Sequence, residues 1–163
     1  MSEGFTAEAS LGFTGNYPLK LDSAQRVPIP AKFKDVLDRY YPDSSSHVVL
    51  IPDYGKIKVL PLPVWARLQE KLNGLDFLDP SSDEYRTYIF GNMAFCQLDG
   101  QNRVKLTPSL CALAEIEKEA VFVGQQSLME IWSGEKWREF NQATAKNLRN
   151  VMAEVFRNSR PGA

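Results

Sequence analysis

The sequence predicts a mainly β fold with peripheral helices, built from two tandem β-hairpin-plus-helix units. Three observations carry that expectation. First, Leu21-Asp22-Ser23-Ala24-Gln25-Arg26-Val27-Pro28-Ile29 lines up with Leu98-Asp99-Gly100-Gln101-Asn102-Arg103-Val104-Lys105-Leu106, a shared Leu-Asp-x-x-x-Arg-Val-x-(Ile/Leu) frame at an offset of 77 residues. Second, Ile57 to Trp65 matches Met129 to Trp137 at an offset of 72. Two frames in the same order at nearly the same spacing mark the duplication of one supersecondary unit. Third, short apolar runs bounded by turn residues recur in both halves, the pattern of short strands.

A chain of 163 residues suits one compact body or two small half-domains. With 44% hydrophobic and 24% charged residues it can bury a core. Lys and Arg number 19 against 20 Asp and Glu, so no chain-wide basic field attracts polyanions, and any such site must be local. Two cysteines, Cys96 and Cys111, and one histidine, His47, are too few for a disulfide framework or a Cys/His zinc site. The thiols are expected to be reduced core residues. Met1 to Glu8 carries acids where a signal peptide needs a basic region and an apolar run, and no segment suits a bilayer span, so a cytoplasmic protein is expected.

Each element follows from period and punctuation. Asn16 to Leu21 and Val27 to Ile29 flank the polar stretch Asp22 to Gln25, and Ala94 to Leu98 and Val104 to Leu106 flank Asp99 to Asn102; both read as β-hairpins with the Asp and Arg at the tip. Pro30 and Thr107-Pro108 signal helix starts, giving short helices over about Ala31 to Tyr41 and Pro108 to Ile116. Strand pairs follow, His47 to Ile51 with Ile57 to Leu60 and Ala120 to Gly124 with Leu128 to Trp132, and a tryptophan-bearing helix closes each unit. Leu75 to Pro80 reads as a loop. Ser81 and Glu84 have capping-box spacing, starting a connecting helix through Phe90.

After Ser133 the last helix is expected to run much further than its counterpart. Leu148, Val151, Met152, Val155 and Phe156 form one apolar stripe on it. The simplest reading is a helix docked on its own domain, with a subunit contact as the alternative. Asn158 to Ala163 reads as a frayed tail.

An arginine at a hairpin tip can bond a guanine edge or hold a phosphate, which makes Arg26 and Arg103 the leading candidates. Asp22 and Asp99 are poor direct DNA ligands, but they can hold the arginine fork or bond the turn backbone. For a single copy, a surface salt bridge pinning a turn would be the simpler account; recurrence at equivalent tips favours a site. Lys20, Lys32 and Lys34 add a modest basic patch near the first motif, and Lys105 stands beside the second. Trp65, Trp132, Trp137, Phe122 and Phe140 read as core rather than as a stacking platform. No glycine-rich phosphate loop, metal-ligand spacing or nucleophile elbow is present, and nothing assembles an active site around Asp22 and Asp99, so neither an enzyme nor a cofactor is expected.

The run Phe13-Thr14-Gly15-Asn16-Tyr17-Pro18-Leu19-Lys20-Leu21-Asp22-x-x-x-Arg26-Val27-x-Ile29-Pro30-Ala31-Lys32-Phe33 resembles the opening of the MraZ family. Asp99 to Arg103, Val121-Phe122-Val123-Gly124 and Glu130-Ile131-Trp132 followed by Trp137 echo its second module. The resemblance covers about Phe13 to Phe140. It implies two tandem AbrB/SpoVT-like swapped-hairpin units, a small double-psi-type barrel. The boundaries are then residues 1–12 as an N-terminal extension, 13–75 and 93–140 as the two units, 76–92 as a connecting helix, and 141–163 as a C-terminal amphipathic helix and tail.

The resemblance further implies a DNA-binding transcriptional regulator, of repressor type, for the bacterial division and cell-wall gene cluster. Its partners would be short direct repeats of double-stranded DNA in its own promoter and copies of itself in a ring, in the cytoplasm and on the nucleoid, with no membrane. Multivalent contact would raise the affinity of individually weak tips. The alternative is an oligomeric protein-interaction module of the same fold with weak or lost DNA binding, favoured by the acid-leaning charge and by the residues before the motif arginines. The family commonly has glycine there; this chain has Gln25 and Asn102. Asn tolerates a left-handed backbone better than Gln does, which predicts a different turn at the first tip.

Overall fold

The computed structural model describes residues 12–159. Residues 1–11 of the expected N-terminal extension and 160–163 of the expected tail lie outside the described residues.

Strands β1 (Asn16–Lys20), β2 (Arg26–Pro28), β3 (His47–Asp53) and β4 (Lys56–Pro61) belong to the first repeat, with helices α1 (Ala31–Tyr40) and α2 (Leu62–Asn73). Helix α3 (Pro80–Asn92) follows. The second repeat supplies β5 (Ala94–Gln97), β6 (Arg103–Lys105), α4 (Pro108–Ala114), β7 (Glu119–Gly124), β8 (Met129–Ser133) and α5 (Gly134–Lys146), and α6 (Leu148–Asn158) ends the described chain.

Six strands make one antiparallel sheet in the order β1-β7-β8-β4-β3-β5, and β2 pairs with β6 in a separate two-stranded ribbon. This order reads the same from both ends once each strand is replaced by its counterpart in the other repeat. The pseudo-two-fold axis passes between β4 and β8, where Lys58 pairs with Glu130, and through the ribbon, where Val27 pairs with Val104. Those pairs are separated in sequence by the two repeat offsets themselves, 72 and 77 residues.

The two arms expected to form a hairpin in each repeat do not pair with each other as strands. β1 runs along β7 and β5 runs along β3, so each repeat gives its first strand to the other half of the sheet. Apolar periodicity identifies a half-buried strand but not its partner, and here the larger contact lies across the axis.

Alternation along the strands sorts the core into layers. Val48, Leu50, Ile57, Val59, Phe122, Met129 and Ile131 face the ribbon, α1 and α4 in the main core. Val49, Ile51 and Leu60 face the opposite side, beneath Trp65 and Leu72 of α2 and Ile89 of α3. On that side of the second repeat, Val121, Val123 and Trp132 are covered by Trp137. Helix α1 lays Phe33 and Leu37, one turn apart, into the core, and Phe33 meets Phe13, Tyr17 and Phe122 edge-on.

Local chemistry explains most helix starts. Thr107 accepts a hydrogen bond from the Leu110 backbone N–H and Ser133 from that of Lys136, each an N-cap. Helix α3 begins two residues earlier than the Ser81 to Glu84 spacing suggests: Asp79 accepts from the Ser82 N–H and Pro80 takes the first helical position. The buried Ser44 hydroxyl accepts from the Leu62 N–H at 2.7 Å, capping α2 from 18 residues away.

The long C-terminal helix expected after Ser133 is two helices. Asn147, at φ −106°, ends α5 and opens α6, and its carboxamide oxygen accepts from the Asn150 side chain. Helix α6 does not dock on the body either: it buries no residue. Phe140, read as core, is 45% exposed and lies against Trp132 and Trp137 at the edge of their cluster. Trp65, Trp132 and Phe122 are buried, and Trp137 is half-buried. Cys96 and Cys111 are buried and free, and His47 is exposed beside the Ser46 hydroxyl.

Candidate nucleic-acid interface

Both Asp-x-x-x-Arg motifs fold into the same turn. In the first, one oxygen of Asp22 accepts from the Ala24 and Arg26 backbone N–H groups at 2.9 Å each, and the other accepts from Arg26 Nε at 2.8 Å. In the second, Asp99 Oδ1 accepts from the Gln101 and Arg103 N–H groups at 2.9 and 3.0 Å, and Oδ2 from Arg103 Nε at 2.7 Å. Each aspartate therefore shapes its turn with one oxygen and holds the arginine with the other.

The first tip takes the same turn as the second, against the expectation from Gln25. Gln25 and Asn102 are both left-handed, at φ 60° and 56°. That conformation aims the Gln25 carbonyl at the Leu106 N–H and the Asn102 carbonyl at the Ile29 N–H, both at 2.9 Å, tying each tip to the other repeat. These bonds and the aspartate–backbone bonds offset the roughly 1–2 kcal/mol that a left-handed L-residue costs.

Strand exchange brings the two tips together. Arg103 Nη1 lies 3.5 Å from Asp22 Oδ2, and Arg26 Nη1 lies 3.9 Å from Asp99 Oδ2, so the two ion pairs join into a quartet across the axis. Sequence reasoning placed both pairs at tips but missed this cross-connection, whose partners stand 81 and 73 residues apart. The recurrence of the motif in an intertwined fold is the signal that could have found it.

The quartet is formally neutral, with both arginines partly exposed. The Arg26 backbone N–H is the largest influence on Asp22 and holds its carboxyl below the usual aspartate value; partial burial opposes this, and the Arg26 guanidinium and the Ala24 N–H reinforce it. At Asp99 partial burial is the largest single influence and pushes upward, but the Arg103 N–H, the Arg103 guanidinium and the Gln101 N–H together outweigh it and leave the carboxyl lowered. Both groups stay ionised at neutral pH. They can orient an arginine; they cannot lend a proton.

The predicted lysines distribute unevenly. Lys105 lies directly across the ribbon from Arg26. Lys20 ends β1 opposite Glu119 in the main sheet, and Lys34 is paired with Asp38 one turn along α1. Lys32 is exposed and, with Arg39 and Asp35, lines a shallow depression that reaches Gly12 and Thr14. Lys105 is thus the predicted lysine that the ribbon register sets beside the quartet. Among the described residues, no group of three or more His, Cys, Asp or Glu side chains is placed to hold a metal ion.

Residues 89–158 match the family described as "MraZ protein, putative antitoxin-like". The chain is also similar to the transcriptional regulator MraZ of Nitrosospira multiformis, at 32% identity over 91% of this chain and 94% of that one. The chain belongs to the MraZ family. The MraZ transcriptional regulator of Lactiplantibacillus plantarum is 33% identical over 88% of this chain and 98% of its own, and that of Herpetosiphon aurantiacus 35% over 77% and 84%. Membership in the MraZ family agrees with the resemblance carried by Phe13 to Phe33, a stretch that precedes the matched residues 89–158.

Proposed function

We propose that this chain is a DNA-binding transcriptional regulator rather than an enzyme, and that the paired Asp-x-x-x-Arg tips form its contact with duplex DNA. The observation that carries the reading is the quartet: two arginines from opposite repeats, side by side, each oriented by the aspartate four residues before it and faced by the other. Asp22 and Asp99 orient; Arg26 and Arg103 contact base edges or phosphates, and Lys105 beside them adds a phosphate contact. Lys20, Lys32 and Lys34 act further out.

In this reading 13–75 and 93–140 are AbrB/SpoVT-like units of a swapped-hairpin, double-psi-type barrel, a description supported by the exchange of β1 and β5 across the axis. Residues 76–92 connect the units, 1–12 extend the first, and 141–163 carry the amphipathic helix and tail. The protein acts in the cytoplasm on the nucleoid, as a ring of identical subunits bound to tandem repeats upstream of a division and cell-wall gene cluster, which it represses. Because each quartet is neutral, one tip pair binds weakly and occupancy of several boxes supplies the affinity. No helix among the described residues is long and apolar enough to cross a membrane.

The test is fluorescence anisotropy on the chain's own upstream DNA, intact and with its repeats scrambled, for the wild type and for an Arg26→Ala/Arg103→Ala variant of matched oligomer size. Binding that depends on the repeats, weakens with salt and is lost in the variant supports the reading. Equal binding by both proteins refutes the assignment of the tips. Absence of binding by the wild type returns the chain to the interaction-module alternative.

A further inference from the structure

Helix α6 ends the described chain, and none of the described residues covers its apolar stripe. Leu148, Val151, Met152, Val155 and Phe156 are all exposed, although they share one face at i, i+3, i+4, i+7 and i+8. Its counterpart in chain order, α3, follows the first repeat and docks through Ile89 on the cluster under α2. That docking leaves a second apolar surface outside: Phe77 and Leu78 just before α3, and Tyr85 and Tyr88 along it. One molecule thus carries two unlike uncovered apolar faces, one after each repeat.

Their charged rims are opposite. Around the stripe stand Lys146, Arg149 and Arg157 against Glu154. Around Phe77 to Tyr88 stand Asp76, Asp79, Asp83 and Glu84 against Arg86, whose guanidinium is turned inward onto the Leu72 carbonyl at 3.0 Å. Two α6 helices laid together would set basic rim against basic rim, whereas α6 on the Phe77–Tyr88 face sets basic against acidic.

We propose that α6 of one copy docks on the Phe77–Tyr88 face of the next copy, head to tail. The proposal rests on the oligomer reading above and names the surface that builds it. A contact between unlike faces leaves a free α6 at one end and a free acceptor at the other, so copies add until the chain of subunits closes on itself.

Sedimentation of the full chain tests this with two single variants at exposed positions, Val155→Glu (53% exposed) and Leu78→Glu (79% exposed). The wild type sediments as an oligomer, and each variant alone falls to a monomer of about 18.4 kDa. Mixed in equal amounts, the two variants form a dimer of twice that mass, because each brings the face that the other lacks. A Leu78→Glu protein of wild-type size, or a mixture that stays monomeric, overturns the proposal. An oligomeric wild type with both variants unchanged overturns this contact and leaves the oligomer standing; a monomeric wild type overturns both. Should circular dichroism show a variant misfolded, Arg149→Glu and Asp83→Arg replace the pair: each reduces the oligomer, and the two changes in one chain restore it. Failure of that restoration also overturns the contact.

Discussion

Replacing Glu130 by Gln tests what holds the two repeats face to face. The Glu130 side chain is 5% exposed and its Oε2 faces Lys58 Nζ at 3.1 Å and Lys56 Nζ at 3.5 Å, while Oε1 accepts from the Trp132 indole N–H at 3.2 Å. Removing one partner of a fully buried ion pair costs about 3–5 kcal/mol. Here Lys56 and Lys58 keep some access to water, at 17% and 21% exposure, and Asp53 stays within 3.8 and 3.4 Å of them. The neutral amide also retains an acceptor for the indole. The expected loss is therefore smaller, about 2 kcal/mol, equivalent to a fall of about 4–8 °C in Tm for a chain of this length. Thermal and urea unfolding read it directly.

Because Lys58 and Glu130 are repeat equivalents paired with each other, Lys58→Glu alone sets two carboxylates together at the axis. The reversed pair, Lys58→Glu with Glu130→Lys, should regain part of the lost stability, since the exchanged charges attract but the new ammonium meets Lys56, the new carboxylate meets Asp53 and the Trp132 indole loses its acceptor. A loss below about 0.5 kcal/mol for Glu130→Gln, or a reversed pair no better than Lys58→Glu alone, refutes the view that charge matches the repeats.

Asp22 and Asp99 are lowered in the folded chain, so the stability they contribute is fully present above the unfolded aspartate pKa of about 3.9 and is lost as pH falls through their folded values. Urea midpoints from pH 5 to pH 2 should fall less steeply in an Asp22→Asn/Asp99→Asn variant, and an unchanged slope would sink the assignment. At Gly124 an added Cβ would stand 2.3 Å from the Phe13 carbonyl carbon and the Thr14 nitrogen, both backbone; Gly124→Ala should cost about 1–3 kcal/mol or more by thermal melt. Burial pushes the Cys96 and Cys111 thiols up, with the Lys105 backbone partly opposing this at Cys96, so both should resist alkylation at neutral pH until denaturant opens the fold; fast labelling of the native protein would contradict their placement.

Much of this was legible in the chain because the cues are local. Thr107-Pro108 announces α4, the runs around Tyr54-Gly55 announce β3 and β4, and the duplicated motif announces two equivalent tips. What escaped depends on partners far away in sequence. Nothing near Ser44 says that it caps Leu62, nothing near Tyr17 says that it lies beside Phe122, and Arg26 reaches Asp99 only after the strands have exchanged. At Asn147 the polar residue that breaks the helix sits between apolar stripes that are in phase, so periodicity carried the helix through. At Gln25 residue type suggested one turn, and the aspartate three residues earlier imposed another.

The exchange of first strands also sets a timetable for synthesis. β1 emerges early and pairs with β7, about 100 residues later, so at 5–20 residues per second its Tyr17 and Leu19 wait roughly 5–20 seconds for a partner. The first repeat cannot complete its half of the sheet alone either, since the edge of β3 is finished only by β5. The nascent chain therefore carries an unpaired strand throughout the synthesis of the residues between, and the sheet closes only once the second repeat has been made.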